Sequence, residues 1–380
     1  MTFNFDQWVD RSHSDSLKWH KYRDGDVIPL WVADSDFQSP PSVINALQQR
    51  VAEGVFGYGV PPAELVDLVV SRMQQKYDWT IQPQWIVWLP GLVCGLHLAV
   101  RAFTTPQQSC IMPSPIYPPF MQAAQIDGRS WHAQKVEQRQ QRWVPTVEQI
   151  EPPLNGKEKL LMLCNPYNPG GTVFRREELL EQLSFAQRHN LIVCSDEIHC
   201  DLLLEPGARH IPFASLNEDA AERSITLMSP SKTFNIAGLG ASLAIIPNDK
   251  LRKQYSNTGR GTIPDVNILA YVAATAAYRD GEEWLAAQLD YLRANRDLAV
   301  ARINAIPGLH MLPIEGTYLG WIDTTEAQLS DPHRFFLQAG VALSNGKDFG
   351  DSKFVRINLG CQRALLDKAL DRMAAALAAR

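Results

Sequence analysis

The sequence lacks an excess of positive charge and a long apolar run, and each absence excludes a class of protein. Its 380 residues carry 36 basic and 41 acidic side chains, a formal net charge of −5. A chain without a cationic surface has little attraction for nucleic acid or for an anionic membrane. No segment keeps about 18 consecutive apolar residues, the length that a membrane span needs. We therefore expect neither nucleic acid nor membrane as a partner.

Cysteine is scarce, and its spacing matches no metal site. The six cysteines stand at positions 94, 110, 164, 194, 200 and 361. They lack the paired spacing that builds zinc sites, so we predict no metal and interpret them as reduced core thiols. The opening residues, MTFNFDQWVDRSHSDSLKWHK, lack the apolar stretch of a signal peptide. We expect a cytoplasmic protein.

What the chain does contain is enough apolar material for two folded units. Hydrophobic residues make up 45% of it and charged residues 20%, close to an average globular protein. Since a single core stops growing at about 250–300 residues, we predict two domains.

Short apolar runs alternate with helical patterns up to about residue 275, a rhythm typical of a largely parallel sheet with helical crossovers. The predicted strands are 85–89, 110–112, 160–164, 191–194, 225–228 and 241–246. The predicted helices include 64–77 and 177–189. Beyond them come a long helix at 282–305, short strands at 318–322 and 354–358, and an alanine-rich terminal helix. We predict an α/β fold with a large domain, 50–279, and a smaller α+β domain formed by 1–49 and 280–380.

Candidate functional residues follow the predicted strands, where ligands bind in open α/β sheets. Lys232 lies in SPSKTFN; a lysine in a turn is usually only solvated, but one that is desolvated near positive charge can form a Schiff base. Asp196 ends an apolar strand, where a carboxylate needs a partner such as a cationic ring nitrogen. A helix cap or a salt bridge is the alternative for Asp196. Glu197 beside it is interpreted as structural.

Other polar residues at the same predicted edge suit a flat, anionic ligand. Asn168, fixed between prolines in CNPYNPGG, can donate its amide to a phenolate oxygen. His199 and Tyr117 are candidates for a ring contact and a stacking contact, with plain packing as the alternative for both. The residues that offer amides or hydroxyls to a phosphate are Gly91, Leu92, Val93, Ser229 and Ser231.

Arg356, in FVRINLG, has a guanidinium whose fork matches a substrate carboxylate. The alternative is a surface ion pair.

Several motifs together resemble one enzyme family. They are KWHKYRDGDVIPLWVADSDF (18–37), FGYG (56–59), LCNPYNPGG (163–171), SDEIHCDLL (195–203), SPSKTFNIAGLG (229–240), EGTYLGWID (315–323) and FVRINLGCQR (354–363). In this order they resemble the MalY/PatB carbon–sulfur lyases, the cystathionine β-lyase type, within the class I/II aminotransferases of fold type I. The resemblance covers the chain from end to end.

The resemblance implies a fold type I enzyme with pyridoxal 5′-phosphate on Lys232. Asp196 would then pair with the ring nitrogen, Asn168 and His199 would contact the ring hydroxyl, and Tyr117 would stack on the ring. Gly91 to Val93, Ser229 and Ser231 would hold the phosphate, with Tyr58 reaching in from the second subunit of a homodimer. Arg356 would bind the substrate α-carboxylate, and Trp31 to Asp34, including Ala33, would line the substrate side together with Tyr318.

Three positions depart from related sequences. Ser35 stands where this branch usually has methionine and Tyr167 where it often has histidine, which suggests a changed rim of the site. Gly240 stands eight residues after Lys232, where many aminotransferases have a phosphate-binding arginine. This glycine favours the lyase branch.

The expected activity is α,β-elimination at the carbon–sulfur bond of L-cystathionine or related cysteine S-conjugates, which gives a thiol, pyruvate and ammonia. An aminotransferase with the same cofactor is one alternative, because both reactions begin by removing the α-proton. A regulatory binding protein that docks to a transcription factor is another.

Overall fold

A computed structural model describes residues 3–380. The strands are β1 Ile28–Pro29, β2 Ile86–Leu89, β3 Ser109–Ser114, β4 Ser130–Arg139, β5 Arg142–Glu151, β6 Glu158–Cys164, β7 Ile192–Asp196, β8 Ser224–Met228, β9 Ser242–Ile245, β10 His310–Met311, β11 Leu319–Asp323, β12 Val341–Ala342, β13 Ser344–Asn345 and β14 Phe354–Asn358. The α-helices are α1 Leu17–His20, α2 Pro41–Ala52, α3 Ala63–Tyr77, α4 Leu92–Phe103, α5 Pro118–Ile126, α6 Arg176–Arg188, α7 Glu218–Glu222, α8 Asp249–Gly259, α9 Ile268–Asp280, α10 Glu282–Asn304, α11 Pro332–Gln338, α12 Gly346–Phe349 and α13 Arg363–Ala378.

An eight-stranded mixed sheet forms the centre of the fold, in the order β2-β9-β8-β7-β6-β3-β4-β5. The five strands β8, β7, β6, β3 and β4 run parallel, whereas β9 is antiparallel to both of its neighbours and β5 is antiparallel to β4. The predicted α/β class and mostly parallel sheet are confirmed. The predicted strands and helices all occur, with ends shifted by a few residues.

The sequence analysis missed the hairpin of β4 and β5. Its strands are rich in Gln, Glu and Arg, and β5 lies at the sheet edge. Because an edge strand is partly solvated, its sequence lacks the continuous apolar run that marks an inner strand of a parallel sheet.

A second, four-stranded sheet has the order β10-β11-β14-β13. It shares a hydrophobic core with α10 and α13, which contribute Leu292 and Leu366, and with Leu30 and Val43 from near the N-terminus. The parallel pairing of β1 with β12 joins those early residues to the C-terminal part. Residues from both ends of the chain therefore share this second core. The division into a large domain, 50–279, and a smaller domain of 1–49 and 280–380 stays a prediction.

The topology places the candidate residues at one edge of the large sheet. The parallel strands β3, β6, β7 and β8 all end there, and β2 runs in the same direction because two antiparallel pairings separate it from β8. All six cysteines are free, and five of them are buried. Within residues 3–380, no helix is both long and apolar enough to cross a membrane.

Candidate active site

A cavity of about 340 Å³ lies at the carboxyl edge of the sheet, and we call it the inner cavity. Its walls come from residues that are far apart in the sequence but follow neighbouring strands. The predicted site residues that line it are Ala33, Gly91, Leu92, Val93, Tyr117, Asn168, Asp196, His199, Ser231 and Lys232. The rest of the lining includes Cys94, Cys164, Ile198, Gly240 and Ser242.

A second cavity, of about 320 Å³, adjoins the first, and we call it the outer cavity. The two share Ala33, Tyr117 and Lys232, so the lysine stands where they meet. Arg356 lines the outer cavity. A ligand in the outer cavity therefore lies beside both Lys232 and Arg356.

Lys232 lies in the turn that follows β8, and its Nζ donates a hydrogen bond to the carbonyl oxygen of Ala33 at 2.5 Å. Burial lowers the pKa of this amine to about 8; Arg356 acts in the same direction, while Asp34 and Asp196 oppose the shift. At pH 7 about a tenth of the amine is therefore unprotonated, a far larger share than for a lysine with an ordinary pKa of about 10.4. An unprotonated amine is what a nucleophile or a general base requires.

Asp196 is the last residue of β7 and is 5% exposed. One of its carboxylate oxygens, Oδ1, accepts a hydrogen bond from the backbone N–H of Ile198 at 3.1 Å. Burial raises the pKa of the carboxyl to about 7, and the neighbouring charge of Glu197 adds to the rise. In the described part of the chain no cation forms an ion pair with Asp196. The ionised form of this buried carboxyl is therefore unfavourable, and a cation bound beside it would stabilise that form.

Glu197 points away from the cavities into a buried polar network. Its carboxylate bonds to Nε2 of His210 at 2.7 Å, to the Ser195 hydroxyl at 2.8 Å and to the N–H of Phe213 at 2.9 Å. The structural interpretation of Glu197 is consistent with these contacts.

His199 lies in the inner cavity with both ring nitrogens buried and without a hydrogen-bond partner in residues 3–380. Burial lowers the pKa of the imidazole to about 3, with Lys232 and Arg356 contributing in the same direction. The ring is therefore neutral at physiological pH. Buried polar groups are almost always hydrogen-bonded, so this histidine indicates a ligand in the cavity.

Arg356, on β14, is 3% exposed, and burial lowers its pKa to about 10. Its guanidinium donates to Asn168 Oδ1 at 2.9 Å, to the Trp31 carbonyl at 2.9 Å and to the Ser344 hydroxyl at 3.2 Å. Its Nε has no partner within the described chain, and no carboxylate forms an ion pair with it. A buried guanidinium without an anion is suited to bind a ligand carboxylate.

The contact with Arg356 also orients Asn168. Because Asn168 Oδ1 accepts a hydrogen bond from the guanidinium, the amide N–H groups on Nδ2 are left to donate to a ligand. Asn168 is 3% exposed and lines the inner cavity. Its side chain therefore presents a fixed donor to this cavity.

The start of α4 forms the anion-binding side of the inner cavity. Gly91 is the N-cap with φ 153°, and in the part of the chain that the structure describes no side chain caps this helix end. The amides at a helix N-terminus are free to bind a phosphate, which the helix dipole also favours. Gly91, Leu92 and Val93 all face the cavity.

Gly240 contacts the same helix start through Pro90. It has φ 75°, and a Cβ built on it would lie 2.5 Å from the Pro90 carbonyl oxygen. Any side chain here, arginine included, would push against the turn that positions Gly91. The geometry gives a physical reason for the glycine.

Three predicted residues do not line either cavity. The Ser229 hydroxyl donates to the Ala241 carbonyl at 2.6 Å and accepts from Ser231 N–H at 3.0 Å, so it supports the turn rather than facing a phosphate. Tyr318 is buried behind the substrate side, where its hydroxyl donates to Ala33 at 3.1 Å. Tyr58 is fully exposed and lines neither of these two cavities.

The expectation that Ser35 and Tyr167 shape the rim is wrong. Both are buried, and neither lines the inner or the outer cavity. The Tyr167 hydroxyl donates to the carbonyl of Pro115, and Ser35 N–H donates to Asn235 Oδ1. These side chains pack beneath the site.

A buried charge cluster holds the segment that carries Ala33. Asp36 accepts hydrogen bonds from Lys18 at 2.7 Å, from Trp19 at 2.9 Å and from Arg11 at 3.0 Å. Lys18 is fully buried, and Arg11 also bonds to Asp34 at 2.9 Å. The N-terminal residues therefore fix the wall that receives the Lys232 amine.

Sequence reasoning missed the residues that surround Arg356 and the outer cavity. Ser344 bonds to the guanidinium, and the Phe349 ring lies 4.8 Å from it. Lys21, His333 and Asp348 line the opening. Lys21 lies within the motif 18–37 but was not singled out there, and Ser344, Phe349, His333 and Asp348 lie in none of the quoted motifs. The pairing of β13 with β14 brings Ser344 beside Arg356.

The arrangement fits pyridoxal phosphate. The N-terminus of α4 can bind a phosphate, and Asp196 has no cation as a partner among residues 3–380. His199 and the side-chain amide N–H of Asn168 are available to contact ring substituents. Lys232 supplies an amine of lowered pKa between these groups and Arg356. Residues 3–380 contain no group of side chains able to hold a metal ion.

Comparison with known proteins agrees with this geometry. The model of the family "Aminotransferase class I and II" matches residues 25–373. Cystathionine beta-lyase PatB of Bacillus subtilis is 36% identical over 98% of this chain and 100% of its own length. The crystal structure of OvoB has a TM-score of 0.98 and 57% identity, and covers 100% of both chains. The PLP-bound C-S lyase of Staphylococcus hominis has a TM-score of 0.91 and 30% identity, over 99% of this chain and 98% of that one.

Proposed function

This chain belongs to the aminotransferase class I and II family, and we propose that it is a pyridoxal-phosphate carbon–sulfur lyase that acts on L-cystathionine or related cysteine S-conjugates. The relatives named for cystathionine β-lyase and C–S lyase activity match it along almost its whole length. The observation that carries the proposal is the position of the Lys232 amine between the inner cavity and Arg356.

The residues that line the inner cavity support the cofactor-binding roles that we propose. Asp196 would keep the ring nitrogen of the bound cofactor protonated, and the ring cation would stabilise the buried carboxylate in return. Asn168 would donate its side-chain amide N–H to the ring hydroxyl, His199 would contact the same region, and Tyr117 would pack on the ring. Gly91, Leu92, Val93 and Ser231 would bind the phosphate. When bound, the cofactor accepts the electron pair that is left when the α C–H bond breaks.

The chain's own residues orient the substrate and move the proton. Arg356 binds the α-carboxylate, which fixes the direction of the α C–H bond relative to Lys232; such positioning is worth several kcal/mol. The Lys232 amine removes the α-proton as general base. The Cβ–S bond then breaks with its electron pair on sulfur, and the Lys232 ammonium returns the proton to the thiolate. The remaining 2-aminoacrylate is hydrolysed to pyruvate and ammonia.

An assay without any keto acid tests this function. Purified protein supplied with the cofactor and L-cystathionine should release homocysteine, pyruvate and ammonia in equal amounts over many turnovers. A strict need for a keto acid would instead show an aminotransferase. Gly240 favours the lyase, since a Cβ at this position would lie 2.5 Å from the Pro90 carbonyl oxygen, which leaves no room for the arginine that many aminotransferases have there.

We also propose that the enzyme is a cytoplasmic homodimer in which Tyr58 reaches the phosphate of the partner's site. The segment before α3 supports this proposal, because Val55, Phe56, Tyr58 and Val60 are all exposed, Tyr58 completely. Such an exposed apolar segment is typical of a surface that another chain covers.

Replacing Arg356 with lysine tests the carboxylate contact. The ammonium keeps the charge but loses the fork, so we expect KM for L-cystathionine to rise about 10- to 100-fold with a smaller fall in kcat. Steady-state kinetics measure both constants. The matched control substrate is L-cystathionine with an amide in place of the α-carboxylate. With this substrate the difference in KM between the variant and the wild type should largely disappear. An equal penalty on both substrates would refute the assignment.

A further inference from the structure

The outer cavity carries charges that the reaction itself does not use. Lys21, His333 and Asp348 line its opening, whereas Arg356 lies buried at its inner end. Lys21 follows α1, His333 is on α11 and Asp348 is on α12, so three separate segments meet here. The charged groups at the opening differ in sign.

Neither Lys21 nor Asp348 is neutralised by the protein. The Lys21 ammonium lies 4.4 Å from the centre of the Trp31 ring, which holds the side chain at the cavity without cancelling its charge. Within the described residues, Lys21 has no carboxylate and Asp348 no cation at ion-pair distance. Opposite charges that stay unpaired beside one cavity are available to a ligand that carries both signs.

The direction of the substrate follows from the two inner anchors. The α-amino group reaches the cofactor at Lys232, and the α-carboxylate reaches Arg356, whose Nε has no partner in the described chain. The remaining branch of a cysteine S-conjugate is the group on sulfur. Since the outer cavity is the space next to both anchors, this group extends towards Lys21 and Asp348.

We propose that Lys21 and Asp348 are specificity-determining residues, which bind the carboxylate and the ammonium of a sulfur substituent that is itself an amino acid. The inference rests on the proposed lyase function and deepens it. Lys21 and Asp348 then contact the end of the leaving thiol that lies away from the sulfur. A simple alkyl substituent makes neither contact and is the poorer substrate.

Four conjugates separate the two contacts: L-cystathionine, S-(2-carboxyethyl)-L-cysteine, S-(2-aminoethyl)-L-cysteine and S-ethyl-L-cysteine. Thiol release is measured with the cofactor-loaded wild-type protein, Lys21→Met and Asp348→Asn. Lys21→Met should lower kcat/KM about ten-fold for the two substrates that carry a distal carboxylate. Asp348→Asn should do so for the two that carry a distal ammonium. S-ethyl-L-cysteine should stay within about two-fold for both variants.

The matched control is Lys347→Met, an exposed lysine next to Asp348 that does not line the outer cavity. It should leave all four substrates unchanged. Equal losses on all substrates, or no loss on any, would overturn the inference while thiol release by the wild type upheld the lyase. A wild-type protein that releases thiol from none of the four would instead refute the proposed function.

Discussion

Replacing Lys232 with alanine is expected to lower kcat for thiol release at least about 1,000-fold. The variant loses the amine that binds the cofactor covalently and the general base that removes the α-proton, and base removal alone costs about 100- to 10,000-fold. The amine is held at 2.5 Å from the Ala33 carbonyl with its pKa lowered to about 8. Among residues 3–380, no second lysine lines the inner cavity to replace it.

Two controls separate a lost amine from a lost fold. Lys253→Ala removes a lysine that is 72% exposed and should leave turnover unchanged. Ethylamine added to the Lys232→Ala protein should restore part of the activity, because a small amine can enter the space of the missing side chain. A Lys232→Ala protein that turns over within ten-fold of the wild type would exclude this lysine as the catalytic base.

Replacing Asp196 with asparagine is expected to lower kcat about 100- to 1,000-fold, because the variant breaks a buried pair between a carboxylate and the ring nitrogen. The shape of the side chain is retained, so the cofactor should still bind. The steady-state rate of thiol release with saturating cofactor measures the effect. Asp265→Asn, at an exposed position, is the control that should keep full activity.

The same substitution should stabilise the cofactor-free protein. The pKa of Asp196 is raised in the folded state from 3.8 to about 7, so the folded chain binds more protons than the unfolded chain between these values. The contribution of this carboxyl to the free energy of unfolding therefore falls as pH rises from about 4 to 7 and stays low above that. At pH 8 the ionised Asp196 lowers the free energy of unfolding by on the order of 4 kcal/mol. Asparagine has no charge, so the variant does not lose this stability.

Denaturant unfolding of the two cofactor-free proteins checks this sign. The difference in stability between the Asp196→Asn variant and the wild type should grow from pH 5 to pH 7 and then level off. If the variant is less stable than the wild type at pH 8, the Asp196 carboxylate does not destabilise the cofactor-free protein, and the prediction is wrong.

The strands and helices that are buried could be predicted from the sequence, because burial requires a recognisable pattern of apolar residues. The inner strands β6, β7 and β8 are apolar along nearly their whole length, and helices such as α3 show a repeated apolar face, so both were predicted. The hairpin of β4 and β5 was not, because edge strands mix polar and apolar residues. The antiparallel direction of β9 was not visible either, since a short apolar run carries no sign of its direction.

The candidate site divides in the same way. Lys232, Asp196 and Asn168 follow predicted strands directly, so sheet topology alone brings them together. Lys21, Ser344 and Asp348 have no such marker and reach the cavity only through the folding of distant segments. Ser229 was predicted to offer its hydroxyl to a phosphate, and Tyr318 was placed at the substrate side by resemblance. In the structure both hydroxyls donate to backbone carbonyls.

The central claim is a covalent link between one amine of this chain and the aldehyde of pyridoxal phosphate. Borohydride reduction of the cofactor-loaded protein, followed by peptide mapping with mass spectrometry, tests it directly. The account predicts one modified peptide per chain, with the pyridoxyl group on Lys232. A label on a different lysine, or a protein that stays colourless and unlabelled after the cofactor is supplied, would contradict it.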